Sequence, residues 1–486
     1  MKTLALLCAL CGALNAAEFF VSPTGIDGAP GTKAAPLLTL NKALEKCAEG
    51  DTIFLREGTY GGGQTVDKAK ITIAAYEGER VSIKAPNDNE RIGNCLWFTA
   101  SGGTLRGIDL EGGFYYVLKF ELGVVGGLVE DCRLHDSGRD CVKIAGADKI
   151  TIRRCEIFNS GRRDNSNAEG IDNVNGDEML VQDCYIHDIA TCGVYPKGGS
   201  IGSIIERCLI MRCNQAGISM AQSSGLQFYD TKANPEYYSC RDCIARNNII
   251  VDIKGSGIDL ESALRPRVYN NTIVNAGQTM RGGIRISGNN KGGEAGLVKC
   301  KDAEICNNII VMGPDSKRPA VMMGKDSHEG SLTFSNNHYH KVGGKALFWW
   351  EPTGAYGLDL ADWVKLSGES EASEGDPGLD DTWHLKKDSP CIGKGKNLAP
   401  PDTESRGKPA TGKRKPEEKA DGKASETSPE FMDDYDGNPR PGPKERKPWD
   451  QGADQSGAEA LPTPPAKDTV GTRPKTDKPA KKATGR

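Results

Sequence analysis

VEDCRL at 129–134, IRRCEI at 152–157, VQDCYI at 181–186, IERCLI at 205–210, ARNNII at 245–250, VYNNTI at 268–273, ICNNII at 305–310 and FSNNHY at 334–339 are eight copies of one phrase. Each is an apolar strand ending in Cys or in Asn-Asn, with another apolar residue two places on. Aligned, they form a single column: Cys132, Cys155, Cys184, Cys208, Asn248, Asn271, Asn308 and Asn337. The separations are 23, 29, 24, 40, 23, 37 and 29 residues, a base period near 23 with insertions. A period of that size predicts stacked coils, so residues far apart in sequence become neighbours on successive rungs.

Composition agrees with short strands and tight turns. The 486 residues include 60 glycines, only 6% are aromatic, and the net charge is −4. A solenoid lengthens by adding rungs, so length does not count domains here. The basic residues are dispersed, which points away from nucleic acid. Residues 1–17 carry Lys2, an apolar run from Leu4 to Leu14 and small residues at Ala16 and Ala17, the pattern of a secretory signal peptide. No later stretch is apolar enough to span a membrane. The expectation is an exported protein, extracellular or periplasmic, and monomeric.

Two of the 16 cysteines fall in that leader. Cys132, Cys155, Cys184 and Cys208 read as small apolar filler on one ladder column. Cys240 with Cys243, and Cys300 with Cys306, flank insertions and are the disulfide candidates. A single CxxC without a second pair or a histidine cluster does not make a zinc site.

Residues 18–398 are expected to form the coil stack, with a short amphipathic helix from Leu38 to Ala48 over its open N-terminal end. Residues 399–433 are a Lys/Pro/Glu/Gly-rich linker, 434–455 return to structure, and 456–486 form a basic tail. Linker and tail hold too few large apolar residues to offset the entropy of ordering, so they are expected to be disordered.

FVSPTGIDGAPGT at 20–32, GDTIFLREGTY at 50–60, the Asn-Asn ladder, SPCIGKG at 389–395 and DYDGNPRP at 434–441 together resemble the pectate-lyase-like right-handed β-helix superfamily, over about residues 19–455. The resemblance implies an all-β, single-stranded, right-handed parallel β-helix. That fold hosts lyases, hydrolases, epimerases and non-catalytic proteins, so activity must be argued from a site.

A second strand follows each ladder strand: CVKIA at 141–145, GIDNV at 170–174, GVYPK at 193–197, GISMA at 217–221, GIDLE at 257–261 and GIRIS at 283–287. Alternation turns positions two and four inward; these are apolar in every copy except Asn173. Positions three and five then face solvent, aligning Lys143, Asp172, Tyr195, Ser219, Asp259 and Arg285 in one row. Beside it run Ala145, Val174, Lys197, Ala221, Glu261 and Ser287. Asp140 and Glu169 immediately precede two of these strands. The insertion at 223–240 brings Phe228, Tyr229, Tyr237 and Tyr238 close to the row, as sugar-stacking candidates or as a cover for their own rung.

This row suits β-elimination at a uronic acid, which needs the substrate carboxylate neutralised and a base near the α proton. Lys197 is the expected base, and Ca2+ held by Asp140, Asp164, Glu169 and Asp172 the expected neutralising cofactor. Lys143, Tyr195, Asp259, Glu261, Arg285, Tyr229 and Tyr237 are expected to contact an anionic polysaccharide. One branch of the resembled superfamily is known for a lysine base and a calcium site in an Asn-Ala-Asp-Gly setting, and NAEGID at 167–172 looks like that element with Glu169 in the Asp place. The adjacent aspartates of that branch's second cluster are missing, where this chain reads ATCGVYP. Two other readings stand beside the lyase: a non-catalytic carbohydrate-binding or surface-structural protein, in which these acids and Lys197 pair with one another, and a glycoside hydrolase with Asp172 paired to Asp140 or Glu169. His135 and His187, each followed by Asp at matching ladder positions, read as stacked turn residues.

Overall fold

Every ladder residue sits one place after a residue in the left-handed region. Asp131, Arg154, Asp183, Arg207, Asn247, Asn270, Asn307 and Asn336 all have φ between 51° and 61°. This one-residue corner turns the chain from one sheet into the next, and Asn and Asp tolerate it best. In the computed structural model, residues 16–220, 224–314, 316–398, 433–438, 440 and 447–454 are described. Most of the expected leader, linker and basic tail lies outside them.

The coils stack into three long parallel sheets of 15, 12 and 12 strands, successive rungs pairing in order. The architecture is an all-β right-handed parallel β-helix. Inward side chains from all three sheets form one continuous core running from Val21 to Trp363. The helix expected at Leu38–Ala48 spans Leu40–Lys46, with the Thr39 hydroxyl accepting from Lys42 N, and it buries Leu40, Ala43 and Leu44. Among the described residues no helix is long and apolar enough to cross a membrane.

The ladder column is a hydrogen-bonded stack in its second half. Asn248 Nδ2 donates to Asn271 Oδ1 (2.9 Å), Asn271 Nδ2 to Asn308 Oδ1 (3.0 Å), Asn308 Nδ2 to Asn337 Oδ1 (2.9 Å), and Asn337 Nδ2 to Glu369 Oε1 (2.8 Å). Glu369 ends the stack, its other oxygen accepting from Tyr339 and from Trp363. The four cysteines of the first half are buried thiols, each donating to the carbonyl two residues before it.

Neither expected disulfide forms; the 14 described cysteines are free and buried. Cys300 and Cys306 lie at the two ends of one strand, on either side of the corner residue Asp302, and Cys300 packs in the main core while Cys306 packs with Tyr269 and Trp449, so the two thiols sit in different clusters. Cys240 and Cys243 flank the corner residue Asp242 and both enter the core as thiols.

The corner asparagines have a second use. Asn247 donates to Asp433 O (2.7 Å), Asn270 to Asp450 O (3.0 Å), Asn307 to Lys396 O (2.8 Å) and Asn336 to Lys394 O (2.8 Å). Gly452 N also donates to Asn307 O (2.6 Å) and Gln451 Nε2 to Asn336 O (2.6 Å), so the returning C-terminal segment is held across four rungs, with its own Tyr435 and Trp449 buried.

Candidate functional site

The site lies on the sheet that contains the strands Tyr116–Phe120, Val142–Ala145, Ile171–Val174 and Cys192–Lys197. Its register matches the sequence expectation: Lys143 pairs with Asp172, Asp172 with Tyr195, and Val174 with Lys197. Gly170 begins one of these strands because there is no room for a side chain; an added Cβ would lie 2.5 Å from the carbonyl oxygen of Gly193. That close approach sets the backbone of Glu169 beside Asp140, whose Oδ1 accepts from Glu169 N at 3.2 Å.

Asp140, Glu169 and Asp172 converge, each offering a carboxylate oxygen within 4.8 Å of the others, and all three are buried. Asp164, the fourth expected calcium ligand, stands apart in a turn, accepting from Ser166 and lying 3.6 Å from Arg139. Lys143 donates to Asp172 Oδ2, and Lys197 Nζ lies 3.1 Å from Asp172 Oδ1. The second contact is off the hydrogen-bonding direction and is best described as an ion pair. Lys197 Nζ also sits 4.0 Å above the ring centre of Tyr195, a cation–π contact.

Two lysines thus face three acids. Burial, with the charges of Glu169 and Asp172, pushes Asp140 well above the usual carboxylate range. Burial acts on Asp172 in the same direction, but Lys143 and Lys197 outweigh it and hold Asp172 low. For Lys143, burial is outweighed by Asp172 and Asp140, which raise its pKa and keep it charged. Asp140 Oδ2 and Glu169 Oε2 are buried without a hydrogen-bond partner. Orphaned carboxylate oxygens converging at this distance fit a hard divalent cation that takes oxygen ligands, such as Ca2+.

Beside the trio opens a cleft of about 610 Å³, lined by Lys119, Lys143, Asp172, Lys197 and Phe228, with Asp172 the one acid of the three in its lining. A cleft of similar size, about 640 Å³, lies at Arg212 and Asp188; among the described residues it holds no comparable group of acids.

The expectation that the whole row faces solvent is corrected. Tyr195 is 4% exposed, Ser219 and Asp259 0%, and Glu261 4%. Asp259 is paired with Arg281 and Arg285, and Arg285 also with Glu261, so these residues neutralise one another instead of facing a substrate. Burial raises the Tyr195 hydroxyl well above its usual value, and the ring is a platform for Lys197, with no free face for a sugar. Tyr229 and Tyr237 are buried with Tyr238 and Val298, the covering role that the insertion also permitted. Phe228 is the exception, half-exposed and on the cleft wall.

The sequence reading missed Lys119, Tyr116, Leu122 and Arg139, which line the cleft. Lys119 was legible: YVLKF at 116–120 alternates as CVKIA does, and Lys119 pairs in register with Lys143. Arg139 and Leu122 come from turns that no repeat predicts. His135 stacks on Phe158, which stacks on His187, on a different sheet and away from the acids.

A family profile described as a right-handed β-helix region matches residues 123–294. The chain is 38% identical over 89 residues to pectate lyase PEL9 of Emericella nidulans, covering 17% of this chain and 22% of that protein. It is 40% identical over 85 residues to the uncharacterised protein YwoF of Bacillus subtilis, covering 16% and 17%. These matches span only about a fifth of the relatives' own length. Among solved structures, a rhamnogalacturonan lyase superposes with a TM-score of 0.50 at 17% identity, over 71% of this chain and 90% of that one, a likeness of fold.

Proposed function

Starting from a right-handed β-helix of the pectate-lyase-like superfamily, we propose that the chain is an exported polysaccharide lyase that cleaves a uronic-acid polymer by β-elimination, with Lys197 as the base. One observation carries the reading: a buried lysine lining a cleft and ion-paired to Asp172, one of three converging acids that leave oxygens unsatisfied. The activity named for PEL9 supports it for the 89 residues in common.

The residues act as follows. Lys119 and Lys143 attract the polymer's carboxylates into the cleft. Asp140, Glu169 and Asp172 would hold Ca2+, which supplies positive charge for the substrate carboxylate and makes the α proton easier to remove. Lys197, beside Asp172 in the cleft lining, is the group placed to take that proton as general base. Tyr195 holds the Lys197 side chain in place.

Incubation with pectate, alginate and glycosaminoglycans, with calcium or with chelator, tests the reading through the ultraviolet absorbance of an unsaturated uronate. Product should form with calcium and fall by about 10²–10⁴-fold in Lys197→Ala, as for loss of a general base. Unchanged product in that variant refutes the assignment. The ion pairs that Lys143 and Lys197 make with Asp172 favour the alternative of a carbohydrate-binding protein, for which the same panel gives binding and no product.

A further inference from the structure

We propose that the cleft is blind at one end, so that the protein engages the terminus of a polysaccharide chain and not its interior; this rests on the polysaccharide reading above. A polymer bound along a parallel β-helix runs across the rungs. Here the cleft is lined along the outward row by Lys119, Lys143, Asp172 and Lys197, and its lining includes none of Ser219, Asp259 and Glu261 on the two rungs that follow. Those three residues are buried, as is Tyr195 on the strand of Lys197.

One chain segment makes the wall and a second braces it from behind. The first is the stretch from Ser224 to Ser239, whose Ser224, Gly225, Gln227 and Phe228 face the cleft. The second is the antiparallel hairpin of Asn289–Asn290 with Leu297–Val298. They brace each other. Lys291 Nζ donates to Tyr229 Oη (3.0 Å) and to Ser239 Oγ (2.8 Å), and Tyr237 donates to Glu294. Asn289 in turn donates to Glu261 on the sheet beneath, and the Gly293 backbone lies close against the Leu226 side chain. The wall is thus fixed to the β-helix as well as to itself.

The lining from Lys119 to Lys197 covers three rung steps, about 14 Å at the usual strand spacing. A chain entering from the Lys119 side meets Lys197 at the point where the wall stops it. Only a short terminal piece fits between the base and the wall, so cleavage there releases small products in succession. The half-exposed Phe228 on the wall and the exposed Leu122 on the opposite rim provide apolar faces against which a terminal ring can pack.

The test uses the full-length protein with polygalacturonate, alginate and hyaluronate, each fractionated by length and compared at equal mass concentration, with calcium present. Calorimetric titration should give a number of sites proportional to the number of chain ends, doubling when mean length is halved. Affinity per chain should change by less than about twofold from short oligosaccharide to polymer. Sites that follow total mass irrespective of length overturn the proposal, and so does failure to bind any of the three. Viscosity separates this from the lyase reading. Small unsaturated products with a slow fall in viscosity support both. Rapid thinning accompanied by unsaturated product keeps the lyase and overturns the blind cleft. Binding proportional to ends without any unsaturated product supports the blind cleft and removes the lyase.

Discussion

Replacing Asn271 by Ala interrupts the asparagine stack at its middle, and the cost can be worked out bond by bond. Asn271 Oδ1 accepts from Asn248 N (3.1 Å) and Asn248 Nδ2 (2.9 Å). Its Nδ2 donates to Asn308 Oδ1 (3.0 Å), Ala245 O (2.9 Å) and Tyr269 O (3.1 Å). After truncation Asn248 Nδ2 keeps Ile205 O, and Asn308 Oδ1 keeps Asn271 N. The Asn248 N–H loses its partner while fully buried, at about 1–3 kcal/mol. The remaining lost bonds and the small void add about 1–2 kcal/mol, giving roughly 2–5 kcal/mol overall. Urea unfolding followed by far-ultraviolet circular dichroism should show a lower midpoint at unchanged slope; a reduced slope would mean that the coil stack has lost cooperativity. A cost below about 1 kcal/mol, the size expected for one ordinary hydrogen bond, would refute the view that these amides form a closed buried network.

Asp172→Asn leaves Lys143 and Lys197 buried without their shared anion, so it should destabilise by about 3–5 kcal/mol, whereas Asp164→Asn, in an exposed turn, should stay within about 0.5 kcal/mol; urea midpoints compare the two. Stability should depend on pH at both ends. The Glu130 carboxyl is desolvated, but Arg153, Arg106 and Arg154 outweigh that and hold it at about 2, so its contribution is present above the unfolded value near 4.5 and is lost as pH falls toward 2. For His135, burial lowers the pKa, but Asp109 and Asp136 outweigh it and raise the folded value. Its contribution is full below about 6.5 and lost as pH rises through the folded value; His135→Gln should flatten that alkaline limb in thermal melts across pH. In a chain starting at Glu18, which carries the 14 described cysteines, a thiol reagent should find no reactive cysteine in the native protein and 14 after denaturation; a lower count after denaturation would mean that some are paired.

The repeat made the register legible. Once Cys132, Cys155 and Cys184 were aligned, Lys143, Asp172 and Tyr195 had to be neighbours, and they are. The one-residue corner was present in the same phrase, as the residue before each Cys or second Asn. Burial of the outer row was not legible, because alternation says only which way a side chain leaves its own strand. Whether water reaches Asp259 or Tyr195 depends on Ser224–Ser239 and on the hairpin around Lys291, segments outside the repeat whose placement rests on contacts such as Lys291 with Tyr229. The failed disulfides have a local reason. Spacing alone makes Cys300 and Cys306 look close, but the corner at Asp302 lies between them and they pack in different clusters.

The clasp formed by the corner asparagines bears on the order in which the chain can mature. Asn247 and Asn270 reach partners 186 and 180 residues downstream, loops whose closure is entropically costly and slow to find. Rungs need only their neighbours and can assemble progressively, but the returning segment has nowhere to lie until the four rungs carrying Asn247, Asn270, Asn307 and Asn336 are all in place. Its arrival therefore marks completion of the stack. A chain ending at Leu398 should keep its coils and lose the last, slowest refolding phase.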